Sequence, residues 1–455
     1  MASPYKIAVV GLWHLGEIYS AGLAELGHNV IGVDENAAVI ENFGKNIPPL
    51  TEPRLAELLA AHQVAGDLSY ATDFAAIKKC NVVWFTFDTP VDDDDEVDVS
   101  VVVKAIEKAI PYLQNGTLVV VSSQLPVGTS EKIIEMIKAK RPELVFDYAY
   151  SPENLRLGDA VKCFLEPGRV VVGTVSEHAV AAMKEIFAGA KGPNGAAAEI
   201  VSMSPASAEM TKHALNAWLA TSISFTNDIA DLCEQYGADV EAVIKALKSD
   251  PRVGSKAYLF AGLGFSGGTL GRDLKAMMKA GAEGGIETPV IESVFAKNKS
   301  RNALVERRLL WELQGQVRVQ GISQGGQSPF AGRTFAMFGV TYKAGTSTLR
   351  RSQPLEIEAA LRKHGMTLNL YDPWAQGGEV AEITPSSFFN DPYAAAKGAD
   401  GILVMTPSRD FGNIDFKKLR AAAKGNLLFD TCNILCDKEK DITAAGFHYM
   451  RIGRS

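Results

Sequence analysis

The chain has few cysteines and no long apolar run. Five cysteines among 455 residues argue against a disulfide-stabilised scaffold and favour a reducing, cytoplasmic location. No apolar run approaches the roughly 18 residues of a membrane span. The short run Ile7–Val10 ends at Gly11, which is typical of a strand and not of a signal peptide. We therefore expect no membrane partner.

The chain also lacks a surplus of basic residues. Lys and Arg number 46 against 53 Asp and Glu, which gives a net charge of −7. Nucleic acid is therefore not an expected partner, because no basic excess is present to neutralise its phosphates. Cys432 and Cys436 have no further Cys or His cluster that would complete a zinc site, so no metal is expected. The acidic run Asp92–Glu96 is interpreted as a solvated loop.

Short apolar runs alternate with helical patterns at both ends of the chain. This alternation predicts crossover units and parallel sheets covered on both faces. The predicted strands are Ile7–Val10, Asn29–Val33, Val82–Thr86, Leu118–Ser122, Val145–Tyr150 and Arg169–Gly173, then Thr334–Phe338, Thr367–Tyr371, Gly401–Met405 and Leu427–Phe429. Between them, Ala206–Glu234 contains neither Pro nor Gly and predicts one long helix. The fold class is α/β, and we expect domains at 1–203, 204–316 and 329–455 with a Gly/Gln/Ser-rich linker at 317–328.

The first strand is followed by a glycine turn that resembles a dinucleotide-binding turn. Gly11 and Gly16 are the outer glycines of a GxGxxG pattern, but Trp13 stands where the second glycine belongs. Asp34 ends the second strand, where a carboxylate accepts a hydrogen bond from a ribose 2′-hydroxyl and disfavours a 2′-phosphate. The pattern predicts NAD as the cofactor, and a turn of this type that binds nothing remains the alternative.

Motif blocks in register along the chain resemble the UDP-glucose/GDP-mannose dehydrogenase family. The blocks are Gly11–Gly16 with Asp34, Pro48-Pro49 with Glu52-Pro53, Thr89-Pro90 with Asp98, Pro126–Thr129, Ser151–Leu155, Glu209–Asn216 with Phe225 and Asn227, Arg252–Gly254, Gly262–Asp273, Gly339–Lys343 with Thr346, Arg350 and Ser352, and Asp372-Pro373. The resemblance implies two Rossmann-like doubly wound domains, for NAD and for the nucleotide of a nucleotide-sugar (UDP above all), joined by a central long-helix region that forms a homodimer. It also implies oxidation of the sugar C6 alcohol through a cysteine thioester, with two NAD per turnover.

The same resemblance implies the site residues. The cofactor residues are Gly11, Trp13, His14, Leu15, Gly16, Asp34, Thr89, Pro90 and Gln124. The substrate residues are Glu153, Asn154, Leu155, Lys212, Arg252, Phe265, Gly267, Tyr342 and Lys343, of which Arg252 would reach the substrate phosphate of the neighbouring subunit. The catalytic residues are Lys212, Asn216, Asp273, Glu153 and Thr269.

Lys212 and Asn216 are four apart on a helix and so share one face. An ammonium beside an amide suits a developing alkoxide or a reactive water, whereas the plainer interpretation is a solvated lysine and a polar helix residue. Glu153 corresponds to the family's carboxylate near the reacting carbon. Asp273 corresponds to the acid that acts with the lysine, unless it only caps the following helix.

The catalytic cysteine of the family is replaced by Thr269, and the lysine before Asp273 is replaced by Arg272. A threonine hydroxyl neither ionises at neutral pH nor forms a thioester, so the covalent route is closed. Other replacements are Gln124 for a threonine, Leu157 for a glutamate, Thr348 for an aspartate and Cys432 for an arginine. The retained residues are those that the resemblance places around hydride transfer to the cofactor and around the reactive water, whereas the lost residues are those of the covalent trap.

Three hypotheses follow from this pattern. The first is a nucleotide-sugar oxidoreductase that stops after two electrons, as an aldehyde or ring ketone, or returns the hydride as an epimerase. The second is full oxidation to the acid through an aldehyde hydrate positioned by Lys212 and Asp273. The third is a catalytically silent homologue that binds a nucleotide-sugar or pairs with an active relative, for which Trp13 and Thr269 argue.

Overall fold

The computed structural model describes residues 5–50, 52–89, 97–192, 195–266, 268–314 and 328–454. The chain divides into two compact units, an N-terminal unit Met1–Ala214 and a C-terminal unit Leu215–Ser455. The predicted loop Asp92–Glu96, the site residues Pro90 and Gly267, and linker residues 317–327 lie outside the described residues. The three-domain division predicted from the sequence stays a prediction.

The N-terminal unit is built on an eight-stranded sheet. Its strands are β1 Lys6–Val10, β2 Asn29–Val33, β3 Leu68–Ala71, β4 Val82–Phe85, β5 Thr117–Val121, β6 Phe146–Tyr150, β7 Val170–Gly173 and β8 Ile200–Met203. They lie in the order β3-β2-β1-β4-β5-β6-β7-β8. All neighbouring pairs are parallel except β6 and β7, which meet antiparallel at Tyr150 and Gly173. The first six strands therefore have the doubly wound order.

Both faces of this sheet are buried. Along β1, Ile7 and Val9 pack into the core on one face while Ala8 and Val10 pack into the core on the other. Such burial explains the uninterrupted apolar run, because a parallel sheet is covered by helices on both sides. The helices of this unit are α1 His14–Glu25, α2 Ala37–Gly44, α3 Leu55–Ala65, α4 Ser100–Ala109, α5 Thr129–Lys140, α6 Ala160–Leu165 and α7 Glu177–Ile186.

The long predicted helix is present as α8, Pro205–Tyr236, which begins in the N-terminal unit and continues into the C-terminal one. Proline at the first helical position is tolerated because its missing N–H would have no partner there. The remaining helices are α9 Val240–Ser249, α10 Thr269–Glu283, α11 Pro289–Arg301, α12 Leu304–Leu313, α13 Gln353–Lys363, α14 Gly377–Ile383, α15 Pro392–Ala396, α16 Phe416–Ala422 and α17 Glu439–Ala444.

The C-terminal unit carries a six-stranded, wholly parallel sheet. Its strands are β9 Thr334–Phe338, β10 Thr367–Tyr371, β11 Ser387–Phe389, β12 Gly401–Val404, β13 Leu427–Asp430 and β14 His448–Arg451. Their order, β11-β10-β9-β12-β13-β14, is again doubly wound. The predicted fold class, two Rossmann-like sheets with a central long helix, is confirmed. Along the described segments, no helix has both the length and the apolar character needed to span a bilayer.

Candidate active site

The glycine turn after β1 has room only for glycine at its two outer positions, Gly11 and Gly16. Gly11 has a φ of +95°, and a Cβ on it would lie 2.9 Å from the Phe87 ring. A Cβ on Gly16 would lie 2.0 Å from the carbonyl oxygen of Gly11. Both positions therefore exclude larger residues, which brings the N-terminus of α1 against the end of β1.

Trp13 is the N-cap residue of α1 and has extended backbone angles that any residue adopts. Its side chain is 49% exposed. Next to it, His14 Nε2 lies 2.9 Å from Glu52 Oε1, while Leu15 is buried in the core. Trp13 therefore fits the local backbone, although its Cβ adds bulk at the helix terminus where a pyrophosphate would bind.

Asp34 directly follows β2 and lies beside the glycine turn. Its carboxylate accepts hydrogen bonds from the backbone N–H of Leu12 and of Asn36, each at 2.9 Å. A carboxylate has about four acceptor positions, so capacity remains for ribose hydroxyls. The positive terminus of α1, the tight glycine turn and this acid fit an NAD molecule, and they are the groups that would hold it.

Two further cofactor candidates are buried. Thr89 lies on the segment after β4, and Gln124 lies between β5 and α5. Their positions after neighbouring strands put both at the carboxyl edge of the sheet, where ligands of doubly wound sheets bind.

Lys212 is held by Glu153 within the N-terminal unit. Its ammonium donates to the main-chain oxygen of Glu153 at 2.6 Å and to Glu153 Oε1 at 2.9 Å. Lys212 is only 7% exposed, and Glu153 Oε2 also accepts from the backbone N–H of Leu155 at 2.8 Å. The pair is thus a nearly buried, hydrogen-bonded ion pair, while Asn154 in the same turn is exposed.

The same face of α8 is fixed to the first turn of α5 and the segment before it by two residues that the sequence did not single out as site residues. Glu209 accepts hydrogen bonds from the backbone N–H of Gly128 and of Ser130, at 2.6 and 2.7 Å. His213 Nε2 lies 3.1 Å from the carbonyl oxygen of Leu125. The spacing of Glu209, Lys212 and His213 at i, i+3 and i+4 puts three polar side chains on one face of the helix, and this pattern could have indicated their role from the sequence.

In the C-terminal unit, Asn216 Nδ2 donates to Asp273 Oδ2. Both residues are buried. Asp273 lies inside α10, whose N-cap residue is Gly268 and makes no side-chain capping bond. Asp273 is therefore not the cap of that helix, and its carboxylate is a buried acceptor with an amide donor beside it.

The chain segment before α10 is pinned by side chains from elsewhere in the C-terminal unit. Gly262 donates its N–H to Asn227 Oδ1 at 2.9 Å and accepts from Arg301 Nη2 at 2.7 Å. Asn298 makes a reciprocal pair with the backbone of Phe265, at 2.8 and 2.9 Å. Gln353 Nε2 donates to the carbonyl oxygen of Leu263 at 2.6 Å. We call residues 262–266 the pinned loop.

Thr269 is the first residue of α10 and is exposed. A side chain at this position lies near the positive end of the helix dipole. Phe265, four residues before Thr269 in the chain, is buried. Ser266 Oγ of the pinned loop donates to the carbonyl oxygen of Tyr342 at 2.7 Å. Lys343, next to Tyr342, is exposed.

Arg252 lies on the surface of the C-terminal unit with its side chain 88% exposed. Its guanidinium donates to both carboxylate oxygens of Asp250, at 3.0 and 2.8 Å. These hydrogen bonds hold the pKa of Asp250 below its usual range. The structure therefore leaves Arg252 accessible and does not bring it to another predicted site residue within its unit.

All five cysteines are free, and none lies in the segment Gly262–Asp273. Burial raises the pKa of Cys80 to about 11 and that of Cys436 to about 12. Burial also raises the pKa of Cys163, Cys233 and Cys432. No thiol of the chain is therefore disposed to ionise at neutral pH. The described residues also contain no group of three or more His, Cys, Asp and Glu side chains arranged to hold a metal ion.

Comparison with known proteins covers nearly the whole chain. Residues 5–191 match the NAD binding domain of the UDP-glucose/GDP-mannose dehydrogenase family, residues 206–300 its central domain, and residues 336–437 its UDP binding domain. The UDP-glucose 6-dehydrogenase TuaD of Bacillus subtilis is 31% identical over 453 residues, covering 99% of this chain and 93% of the relative. The UDP-glucose 6-dehydrogenase of Pseudomonas aeruginosa is 29% identical over 460 residues, with 99% and 97% covered.

Solved structures agree. A UDP-glucose dehydrogenase from Pyrobaculum islandicum superposes with a TM-score of 0.83 at 26% identity, covering 99% of this chain and 98% of that chain. A UDP-D-ManNAc dehydrogenase from Pyrococcus horikoshii gives 0.82 at 24% identity, with 99% of each chain covered, and supports the fold alone. The chain belongs to the UDP-glucose/GDP-mannose dehydrogenase family and is an NAD-dependent, nucleotide-sugar dehydrogenase-like oxidoreductase.

Proposed function

We propose that this protein takes a hydride from a hydroxyl-bearing carbon of a nucleotide-sugar without forming a cysteine thioester, in a two-electron or transient oxidation. The observation that carries the proposal is Thr269 at the first position of α10. None of the five thiols lies in the segment Gly262–Asp273 that contains Thr269, and burial raises the pKa of each of them. A covalent aldehyde adduct needs a thiolate beside the substrate, and this chain supplies none.

The retained polar pairs suit the first oxidation. Removing hydride from a carbinol carbon leaves a carbonyl, and the hydroxyl proton passes to a base; NAD supplies the hydride acceptor. Lys212, fixed by Glu153, offers a cation for the developing alkoxide. Asp273, with Asn216 as donor, offers a carboxylate for the proton.

Substrate binding is proposed at both ends of the nucleotide-sugar. The match of residues 336–437 to the UDP binding domain supports UDP as the nucleotide, with Tyr342 and Lys343 as contacts. Glu153, Asn154, Leu155, Lys212, Phe265 and Gly267 are proposed contacts of the sugar and phosphates. Arg252 is proposed to serve a neighbouring subunit, which its exposure permits.

The test is the number of NADH molecules formed per sugar. The protein is incubated with NAD and UDP-glucose, then with GDP-, CDP- and dTDP-sugars, and NADH absorbance and product mass are followed. We expect at most one NADH per sugar and an aldehyde, ketone or epimer as product. Two NADH and a uronate would overturn the proposal. A tight NAD complex without any hydride exchange would instead identify a silent homologue.

Oxidation of an aldehyde hydrate is the second candidate function. The buried Asp273 carboxylate with its amide partner favours it, because the same acid that takes the alcohol proton can orient a water for the second oxidation. Supplying the nucleotide-sugar aldehyde directly separates the two. NADH formed from the aldehyde supports this route, and its absence excludes it.

A homodimer is proposed through an apolar stripe on α8. Trp218, Phe225 and Leu232 are spaced seven residues apart and are 67%, 49% and 54% exposed. Seven-residue spacing puts them along one line of the helix, and such a stripe is self-complementary in a two-fold pairing with a second copy. We also propose a reducing, cytoplasmic location, because all five thiols are free.

Phe225→Glu is expected to convert the dimer into a 48.8 kDa monomer, because it puts a charge in the centre of the stripe. Light scattering coupled to size exclusion measures the mass. Lys245→Glu, which adds an acid at an exposed position of α9, is the control and should stay dimeric. A dimeric Phe225→Glu protein would contradict the stripe as the interface.

A further inference from the structure

A buried glutamate lies under the cofactor turn and has no role in the proposed reaction. Glu17 is in the first turn of α1 and is 0% exposed. Neither of its carboxylate oxygens makes a hydrogen bond among the described residues. An ionised carboxylate in such a place would be out of contact with water, and the nearby backbone of Leu50 offsets only part of that cost, which favours the neutral acid.

The groups around Glu17 add to this preference. Glu52 carries a carboxylate that is held by His14 Nε2 at 2.9 Å and by the backbone N–H groups of Gly158 and Ala160 at 2.8 and 3.2 Å. Asp88, on the segment after β4, contributes further negative charge. If Glu17 also ionised, its negative charge would be repelled by the carboxylates of Glu52 and Asp88, which further favours its neutral form.

Tyr70, on β3, does not supply a positive charge or a hydrogen bond that would stabilise an ionised Glu17. The hydroxyl of Tyr70 is buried without a hydrogen-bond partner among the described residues, and burial followed by the charge of Glu17 raises its pKa. For Glu17 itself, burial, then the charge of Glu52, and also that of Asp88 raise the pKa to about 9, which the backbone of Leu50 partly offsets. Of Glu17 and Tyr70, Glu17 is therefore the group that loses its proton in the mildly alkaline range.

The protonation state of Glu17 bears on anion binding at the helix end. The N-terminus of α1 carries a partial positive charge that suits a pyrophosphate. A neutral Glu17 leaves this field intact, whereas an ionised Glu17 puts a full negative charge within the first turn of the same helix. Because the site is poorly screened by water, that charge would repel the bound pyrophosphate.

We propose that Glu17 is a positioning residue for the cofactor: it must hold its proton for NAD to bind, so that NAD binding takes up one proton at alkaline pH. The inference concerns cofactor binding alone and does not depend on which sugar product forms. Its sign follows from linkage. Below about pH 9 Glu17 is neutral with or without NAD, so affinity is independent of its titration.

Above that pH the free protein loses the proton, and NAD can bind only after it is regained. The dissociation constant of NAD should then rise up to about tenfold for each pH unit. Titration calorimetry on the full chain between pH 7.5 and 10, in buffers of different ionisation enthalpy, measures both the dissociation constant and the protons taken up. The wild-type protein should take up close to one proton near pH 10 and none at pH 7.5.

Glu17→Gln copies the neutral acid in shape and charge, so it should keep the wild-type affinity at pH 7.5 and lose both the alkaline weakening and the proton uptake. Glu57→Gln, at an exposed position of α3, is the matched control and should behave as wild type. A wild-type dissociation constant that is the same at pH 7.5 and pH 10 would overturn the proposal without any variant. So would proton uptake that persists in Glu17→Gln, because the proton would then belong to another group.

Discussion

Thr269→Cys is expected to yield two NADH per sugar and a uronate product where the wild-type protein yields at most one NADH. The new thiol would occupy the first position of α10, where the helix dipole lowers the pKa of a thiol from its ordinary value of about 8.5. The thiolate adds to the aldehyde, the thiohemiacetal loses a second hydride to a second NAD to give a thioester, and water releases the acid. Because residue 269 is exposed, the free energy of unfolding should change by less than about 0.5 kcal/mol.

The outcome is measured by the number of NADH molecules formed per sugar and by the mass of the product. Alkylation of the new thiol with iodoacetamide should abolish the second oxidation. Thr443→Cys adds a thiol to an exposed threonine of α17 and should keep the wild-type yield. Thr269→Ser keeps a hydroxyl and should also stay at the wild-type yield. If Thr269→Cys still gives no more than one NADH, the prediction is wrong and the carbon that is oxidised does not become a thiol-trapped aldehyde.

Lys212→Met is expected to lower kcat by about 10²- to 10⁴-fold while the dissociation constant of NAD stays close to wild type. The methionine keeps most of the apolar stem but removes the cation that we assign to the developing alkoxide. It also leaves the half-buried Glu153 without the ammonium that now lies 2.9 Å from its Oε1. We expect a loss of about 1–3 kcal/mol in the free energy of unfolding from that unpaired group.

Single-turnover kinetics separate hydride transfer from binding, and thermal melts confirm that the variant is folded. Lys184→Met, at an exposed lysine of α7, is the control and should leave kcat unchanged. A Lys212→Met protein with wild-type kcat would contradict the assignment of Lys212. A weakened NAD complex with unchanged kcat would contradict it as well, because the lysine would then serve the cofactor and not the sugar.

Much of the fold follows from local patterns. The apolar run Ile7–Val10, the glycine turn and the apolar spacing of the next helix predict β1 and α1, and both are present at Lys6–Val10 and His14–Glu25. Strand β3 escaped prediction because its four residues mix Ser and Tyr with two apolar residues. The antiparallel contact of β6 and β7 also escaped, since a strand's direction depends on how the chain between two runs is routed.

The site was harder to predict where its partners are far apart in sequence. Lys212 and Asn216 share a helix face by spacing alone, but their acceptors Glu153 and Asp273 lie 59 and 57 residues away. Glu17 gave no signal, because a glutamate in a helix is ordinarily solvent-facing and its burial is decided by tertiary packing.

The backbone of the pinned loop is held by side chains that come from other parts of the C-terminal unit. Asn227, Arg301, Asn298 and Gln353 fix its backbone, and the side chain at position 269 is not among them. Residue 269 lies just beyond that loop at the start of α10, so we expect a replacement there to change the chemistry at little cost to the free energy of unfolding. On this hypothesis a single substitution loses or regains the covalent route, while the hydrogen bonds that hold the loop stay in place.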